Sequence, residues 1–397
     1  MADYAVIADR EEFLAACDLL AAGEGPVAVD VERASGFRYS QRAYLVQVFR
    51  RGAGVFLFDP PALGDFSALQ EAIGDVEWVF HAASQDLPSL RELALEPATI
   101  FDTELAARLL GHERVGLAAV VEHTLGITLA KEHSAADWST RPLPESWLEY
   151  AALDVLHLID VRDAIDAELV DAGKEGFAAE EFAATLTRRP KPVREDPWRR
   201  LSGLHRVRGA RNLAVARELW TAREEYAQEM DVSPGRLVPD RSLLAAILGA
   251  PANKQALAGL ADFHGRASRT QLDRWWNAIE RGRATADLPR ERVPSDALPP
   301  PRAWVDRNPE ADARLKAARP VVEALADELH MPTENLLTPD HLRRVAWQPP
   351  ELTAESIGEA LADLGARRWQ IAQTAQKIAD AFVDAAQSPE EGAATAS

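Results

Sequence analysis

Two stretches crowded with proline, RRPKPVREDPWRR at 188–200 and LPRERVPSDALPPPRAWVDRNPE at 288–310, cut this chain of 397 residues into three blocks. Proline fixes φ and removes a backbone donor, so neither stretch continues a helix or a central strand. The first block alternates two patterns. PVAVDVE, AYLVQVFR and GVFLFDP, then WVFH at 78–81, are rich in β-branched and aromatic residues and read as strands. DTELAARLLG and PESWLEYAALDVLHLIDVRDAIDAELV repeat apolar residues every three or four positions and read as helices. Strands followed by mixed helices predict an α/β domain with a mixed sheet. The other two blocks show helical periodicity alone. The expected organisation is an α/β domain over 1–187, a basic linker over 188–197, a helical domain over 198–285, an extended linker over 286–308, a second helical domain over 309–387 and a disordered tail over 388–397.

Bulk properties narrow the class. Hydrophobic residues make up 47% and charged residues 27%, as in ordinary globular proteins. Every apolar run is too short and too interrupted by charge to span a bilayer, so no membrane partner is expected. The start, MADYAVIADREEF, lacks the basic residues and apolar core of a signal peptide. Cys17 is the sole cysteine, which excludes an internal disulfide and a Cys-based zinc site and makes a reducing cytoplasm the expected location. The net charge of −19 is unevenly spread: residues 1–186 hold 33 acids and 13 bases, and the remainder 30 acids and 31 bases. The acidic block suits metal cations, and the balanced one leaves room for local basic faces that meet phosphate. A charged surface that only confers solubility accounts for the same total.

Three short patterns carry chemistry. In VAVDVERAS, residues two apart on a strand share a face, so Asp30 and Glu32 point the same way while Val29 and Val31 point to the core. Two carboxylates side by side repel and favour protonation unless a cation sits between them, and hard divalent ions take carboxylate oxygen. Alternatively the pair caps an exposed strand end. In EYAALDVLHLIDV, Tyr150 and Asp154 stack at i, i+4 on one helix face, leaving Leu153, Leu156 and Ile159 for the core. In FHAASQDLPSL, Asp86 opens a helix, where the dipole alone favours an acid. Asp102 reads as the N-cap of the helix from Thr103. His81 and His133 have no partners at zinc-ligand spacing.

Taken in order, Asp30-x-Glu32, His81-x-x-x-x-Asp86 and Tyr150-x-x-x-Asp154 resemble the three exonuclease motifs of the DEDD superfamily, tyrosine subgroup. The run Ala136-Asp137-Trp138-Ser139-Thr140-Arg141-Pro142-Leu143 is similar to ribonuclease D. That resemblance implies a ribonuclease H-like mixed sheet flanked by helices, followed by two all-α domains. It implies that Asp30, Glu32, Asp86 and Asp154 hold two divalent ions, Mg²⁺ or Mn²⁺, about 4 Å apart for phosphodiester hydrolysis. Tyr150, ordinarily a neutral phenol, would orient the attacking water. Asp137, Trp138 and Arg141 would lock the loop before the tyrosine helix. Gln47 and Lys131 are expected beside the terminal nucleotide, the alternatives being that Gln47 only satisfies backbone groups and that Lys131 is a solvated loop lysine.

Residues 198–285 resemble the HRDC helical module through Trp198-Arg199-Arg200-Leu201, Arg211-Asn212-Leu213-Ala214, Leu219-Trp220 and Val238-Pro239-Asp240. Leu213, Leu219, Trp220, Leu243, Trp275 and Trp276 are its core candidates. Between Arg188 and Arg211 bases greatly outnumber acids, so Arg199, Arg206 and Arg208 are candidate phosphate contacts, a solvated linker face being the alternative. The third block resembles a second, divergent domain of this kind, with Arg343, Arg344, Arg367 and Arg368 as further RNA candidates. The function implied is a monomeric 3′-to-5′ exoribonuclease that releases 5′-mononucleotides from a free 3′ end, with transfer-RNA precursors as the expected substrates. A proofreading-type DNA exonuclease shares these carboxylates. A silent RNA-binding scaffold would be expected to lack one of the five site residues.

Overall fold

The computed structural model describes residues 4–129, 136–188, 195–292 and 297–387. Lys131, His133 and the tail lie outside them. Six strands form one mixed sheet: β1 (Val6–Ile7), β2 (Glu24–Arg33), β3 (Ala43–Arg51), β4 (Gly54–Phe58), β5 (Glu77–Phe80) and β6 (Thr99–Asp102), in the order β1-β4-β3-β2-β5-β6. β2, β3 and β4 run antiparallel, while β5 and β6 run parallel to β2. The β3–β4 turn places Gly52 and Gly54 at φ 81° and 106°, where an L side chain would be strained. β1 and β6 leave no mark in the sequence pattern: two and four residues are too few to display a period.

Helices cover the sheet: α1 (Arg10–Ala21), α2 (Ser67–Ile73), α3 (Leu87–Glu92), α4 (Thr103–Leu109), α5 (Leu117–Leu125), α6 (Glu145–Leu156), α7 (Leu158–Asp171) and α8 (Glu175–Thr187). The long stretch expected as one helix breaks at His157 into α6 and α7. Val27, Ala28 and Val29 of the central β2 are fully buried, as a strand covered on both faces requires.

In the first helical block, α9 (Ala210–Met230) packs on α10 (Asp240–Gly249) and α11 (Leu272–Ala284). Leu213, Leu219, Leu243, Trp275 and Trp276 are buried in its core, with Trp220 packed at the edge. A methyl group at Gly282 would lie 2.5 Å from the Val215 Cα, so the close approach of α9 and α11 requires glycine there. The block sits on the loop after β2. Asp231 accepts from the Ser40 N–H at 2.9 Å and the Tyr44 hydroxyl at 3.3 Å, and the Arg236 guanidinium covers the Phe37 ring at 3.9 Å.

The third block is built on α12 (Pro309–Glu328) and α13 (Arg368–Gln387). Its core contains Trp304, packed 4.9 Å from Trp347. A short helix, Trp304–Arg307, lies within the stretch expected as a linker and packs into this block through Trp304. Trp369 stacks on Phe177 of α8 at 4.4 Å and donates its indole N–H to Glu181 at 3.1 Å. One continuous hydrophobic core joins this block to the α/β domain, whereas the first helical block keeps its own.

Candidate active site

The edge of the sheet where β2 ends carries the acids. Asp30 is half-buried and Glu32 only 8% exposed, both on one face, with Val29 and Val31 buried on the other. α6 brings Tyr150 and Asp154 beside them, the phenol hydrogen-bonded to the Asp154 carboxylate. Carboxylate oxygens of Asp30, Glu32 and Asp154 lie within 4.8 Å of one another. Asp86 occupies the N-cap position of α3 and makes no side-chain capping hydrogen bond. It is 4% exposed and lines the same cavity of about 390 Å³ as the other three acids. Leu153, expected in the core, lines this cavity too, while Ile159 is buried as expected.

The crowding is electrostatically unfavourable without a cation. Burial raises Asp30; burial and then the charges of Asp30, Asp154 and Asp86 raise Glu32 well above the usual carboxylate range. Asp86 is raised by burial and then by Asp30. The Tyr150 hydroxyl is pushed above its ordinary value by burial and by the charges of Asp154 and Glu32. His81, hydrogen-bonded through Nδ1 to the Thr103 hydroxyl at 2.9 Å, is lowered to about 4 by burial and is neutral. Four clustered carboxylates with oxygen as the only donor atom fit hard divalent ions.

Supporting residues fix this geometry. Asp102 caps α4 through the Glu104 and Leu105 N–H groups and also accepts from Ala82 and Ala83, the turn that leads to Asp86. Ala82 is held there at φ 69°, and burial raises Asp102 to about 6. Arg141 grips Asp59 with two bonds of 2.7 and 3.0 Å and donates to the Trp138 and Tyr44 carbonyls. This clamp holds the loop before α6, with buried Trp138 6.3 Å from the Tyr150 ring.

The structure gives the other candidate residues the following surroundings. Gln47 is fully buried and donates to Asp30 at 3.2 Å, so it orients that carboxylate and presents no exposed surface. Arg199 is tied to Asp196 at 2.7 Å, to the Arg290 carbonyl and to the Trp198 ring, a local packing role. Arg208 hydrogen-bonds the His205 carbonyl; Arg206 and Arg368 are exposed. Arg343 and Arg344 pair with Asp340, and Arg367 joins the third block to Glu181 at 2.7 Å. Conversely, the sequence pattern gives no sign of Arg33. Strict alternation along β2 would aim it to the face opposite Glu32, but a register shift between Glu32 and Arg33 re-aims it. Its guanidinium lies 3.8 Å from Asp86 and lines the cavity.

A family model described as 3′-5′ exonuclease matches residues 4–170, one described as HRDC domain matches 212–279, and one described as 3′ to 5′ exonuclease C-terminal domain matches 297–382. Fold and site thus define a 3′-to-5′ exonuclease with appended helical domains. Ribonuclease D of Pseudomonas paraeruginosa is 34% identical over 319 residues, 78% of this chain and 81% of that protein. A crystal structure of a protein from Bifidobacterium adolescentis has TM-score 0.89 at 38% identity, covering 96% of this chain and 97% of that one. Escherichia coli ribonuclease D, an exoribonuclease involved in structured RNA processing, has TM-score 0.69 at 25% identity over 91% of this chain and 98% of that one. The chain belongs to the ribonuclease D family and is a 3′-to-5′ exoribonuclease.

Proposed function

We propose that this chain hydrolyses RNA one nucleotide at a time from a free 3′ end at a two-cation centre held by Asp30, Glu32, Asp86 and Asp154. The observation that carries the reading is the convergence of the Asp30, Glu32 and Asp154 oxygens within 4.8 Å beside the Tyr150 phenol. When bound, Mg²⁺ or Mn²⁺ supplies Lewis acidity that acidifies water and neutralises charge on the departing 3′ oxygen. Tyr150 keeps its proton and orients the attacking water by hydrogen bond. The products are 5′-mononucleotides. Likeness to Escherichia coli ribonuclease D supports structured RNAs, transfer-RNA precursors among them, as substrates, with the helical blocks guiding the 3′ tail.

A 5′-labelled RNA should shorten as a ladder with Mg²⁺ or Mn²⁺, while a 3′-labelled one should release label at once as mononucleotide. Chelator should stop both, and matched DNA should be cut more slowly. Internal fragments in place of a ladder, or cutting that survives chelator, would overturn the reading.

Arg33 is a cation placed to meet a phosphate of the bound strand. Arg33→Ala is expected to raise KM for RNA about tenfold or more while lowering kcat less, with partial rescue by Arg33→Lys. An unchanged KM would remove Arg33 from the binding surface.

A further inference from the structure

A second cluster of ligand-type side chains lies outside the catalytic cavity. His112 follows α4, His123 sits on α5 and Glu168 on α7, and one donor atom from each lies within 4.8 Å of the other two. His112 Nε2 and Glu168 Oε2 are 3.1 Å apart, close to the roughly 3.3 Å between neighbouring donors of a tetrahedral ion with bonds of about 2 Å. The two imidazoles pack with centroids 4.3 Å apart. His112 is largely buried; its Nε2 meets Glu168 at hydrogen-bond distance, while its Nδ1 has no hydrogen-bond partner among the described residues. His123 is exposed, which leaves an entry path and a coordination position open to solvent. Arg114, the nearby base, is engaged by Glu122 at 3.2 Å.

We infer that His112, His123 and Glu168 form a transition-metal site, filled by Zn²⁺ or an ion of similar preference, separate from the catalytic carboxylates. Two imidazoles with one carboxylate select such ions over Mg²⁺, which takes oxygen. Glu168 lies ten residues beyond Leu158 on α7, about 15 Å along the helix from the catalytic cavity that Leu158 lines. A bound ion would pin α5 against α7. Leu117 and Ala118 at the start of α5 form one wall of the catalytic cavity, so the same ion would steady that wall.

The test uses the full chain carrying Asp30→Asn and Asp154→Asn, which removes zinc held by the catalytic acids. After dialysis against zinc, this protein should retain about one equivalent, and zinc should raise its Tm. Adding His123→Ala, at an exposed position, should weaken zinc binding about 100-fold or more and abolish the Tm shift while leaving the metal-free Tm unchanged. Glu168→Gln, which keeps a hydrogen-bonding group beside His112, should weaken binding as well. With Co²⁺ in place of zinc, the parent should show the visible absorption of a tetrahedral ion and His123→Ala should not. Zinc retention equal with and without His123, or no zinc retained at all, would overturn the inference. None of these readouts depends on nuclease activity.

Discussion

Asp30→Asn is expected to lower kcat by about 10³-fold or more and, in the absence of metal, to make the protein more stable. The first effect follows from removing one anionic oxygen donor of the proposed cation centre, which would supply several kcal/mol of transition-state stabilisation. The second follows from burial. Asp30 is raised above its ordinary value of 3.8, so it binds its proton more tightly folded than unfolded. Such a group contributes stability that is fully present below the unfolded value and is lost as pH rises through the folded one. Metal-free parent protein should therefore lose Tm as pH climbs from about 4 toward neutrality, with Glu32 and Asp86 adding to the slope in the same direction. Asparagine carries no such cost and still accepts from the Gln47 amide, so the local fold survives. Mg²⁺ should raise the Tm of the parent more than that of the variant. Released nucleotide gives kcat, and melting curves from pH 4 to 8 with chelator or Mg²⁺ give the rest. A variant with near-parent turnover, or a parent Tm indifferent to both pH and metal, would contradict the cation-centre assignment.

The parts of this site that local periodicity encodes are legible in the amino-acid sequence. A two-residue repeat puts Asp30 and Glu32 on one face of β2, and a four-residue step stacks Tyr150 over Asp154 on α6. Asp86 is different: its position at a helix start has an ordinary explanation, and only its place in the motif order marks it. What cannot be read depends on departures from regularity or on distant partners. Arg33 reaches the cavity through a break in the β2–β3 register that no alternation pattern announces. The burial of Gln47 depends on which acid faces it across the β2–β3 pair, which its own strand does not reveal. Asp102 reads as a helix cap, and it is one; its second pair of bonds, to the Ala82–Ala83 turn, spans about twenty residues. The seating of the helical blocks follows the same rule. Asp231 against Ser40 and Trp369 against Phe177 are separated by nearly two hundred residues, beyond any local signal.

Tyr150→Phe should lower kcat by about 10²-fold or more with little change in stability, and the loss should be the same at every pH from 6 to 10. The phenol hydroxyl lies beside the Asp30, Glu32 and Asp154 oxygens on the cavity wall that α6 supplies; it donates to Asp154, and deleting it removes the oxygen that accepts from the water to be aimed. The ring itself stays, and with it the packing against Trp138. The pH profile separates two roles for the same atom. Burial and the negative charges of Asp154 and Glu32 push the hydroxyl above its usual value near 10, so it remains a neutral donor throughout this range. Were Tyr150 instead a base that must lose its proton, parent activity would climb with pH as the phenolate formed and the variant would lack that climb. The ratio of parent to variant kcat would then grow steadily toward pH 10. A flat ratio assigns the hydroxyl to orientation; a rising one assigns it to proton removal and would require cations close enough to pull its proton off against three neighbouring carboxylates.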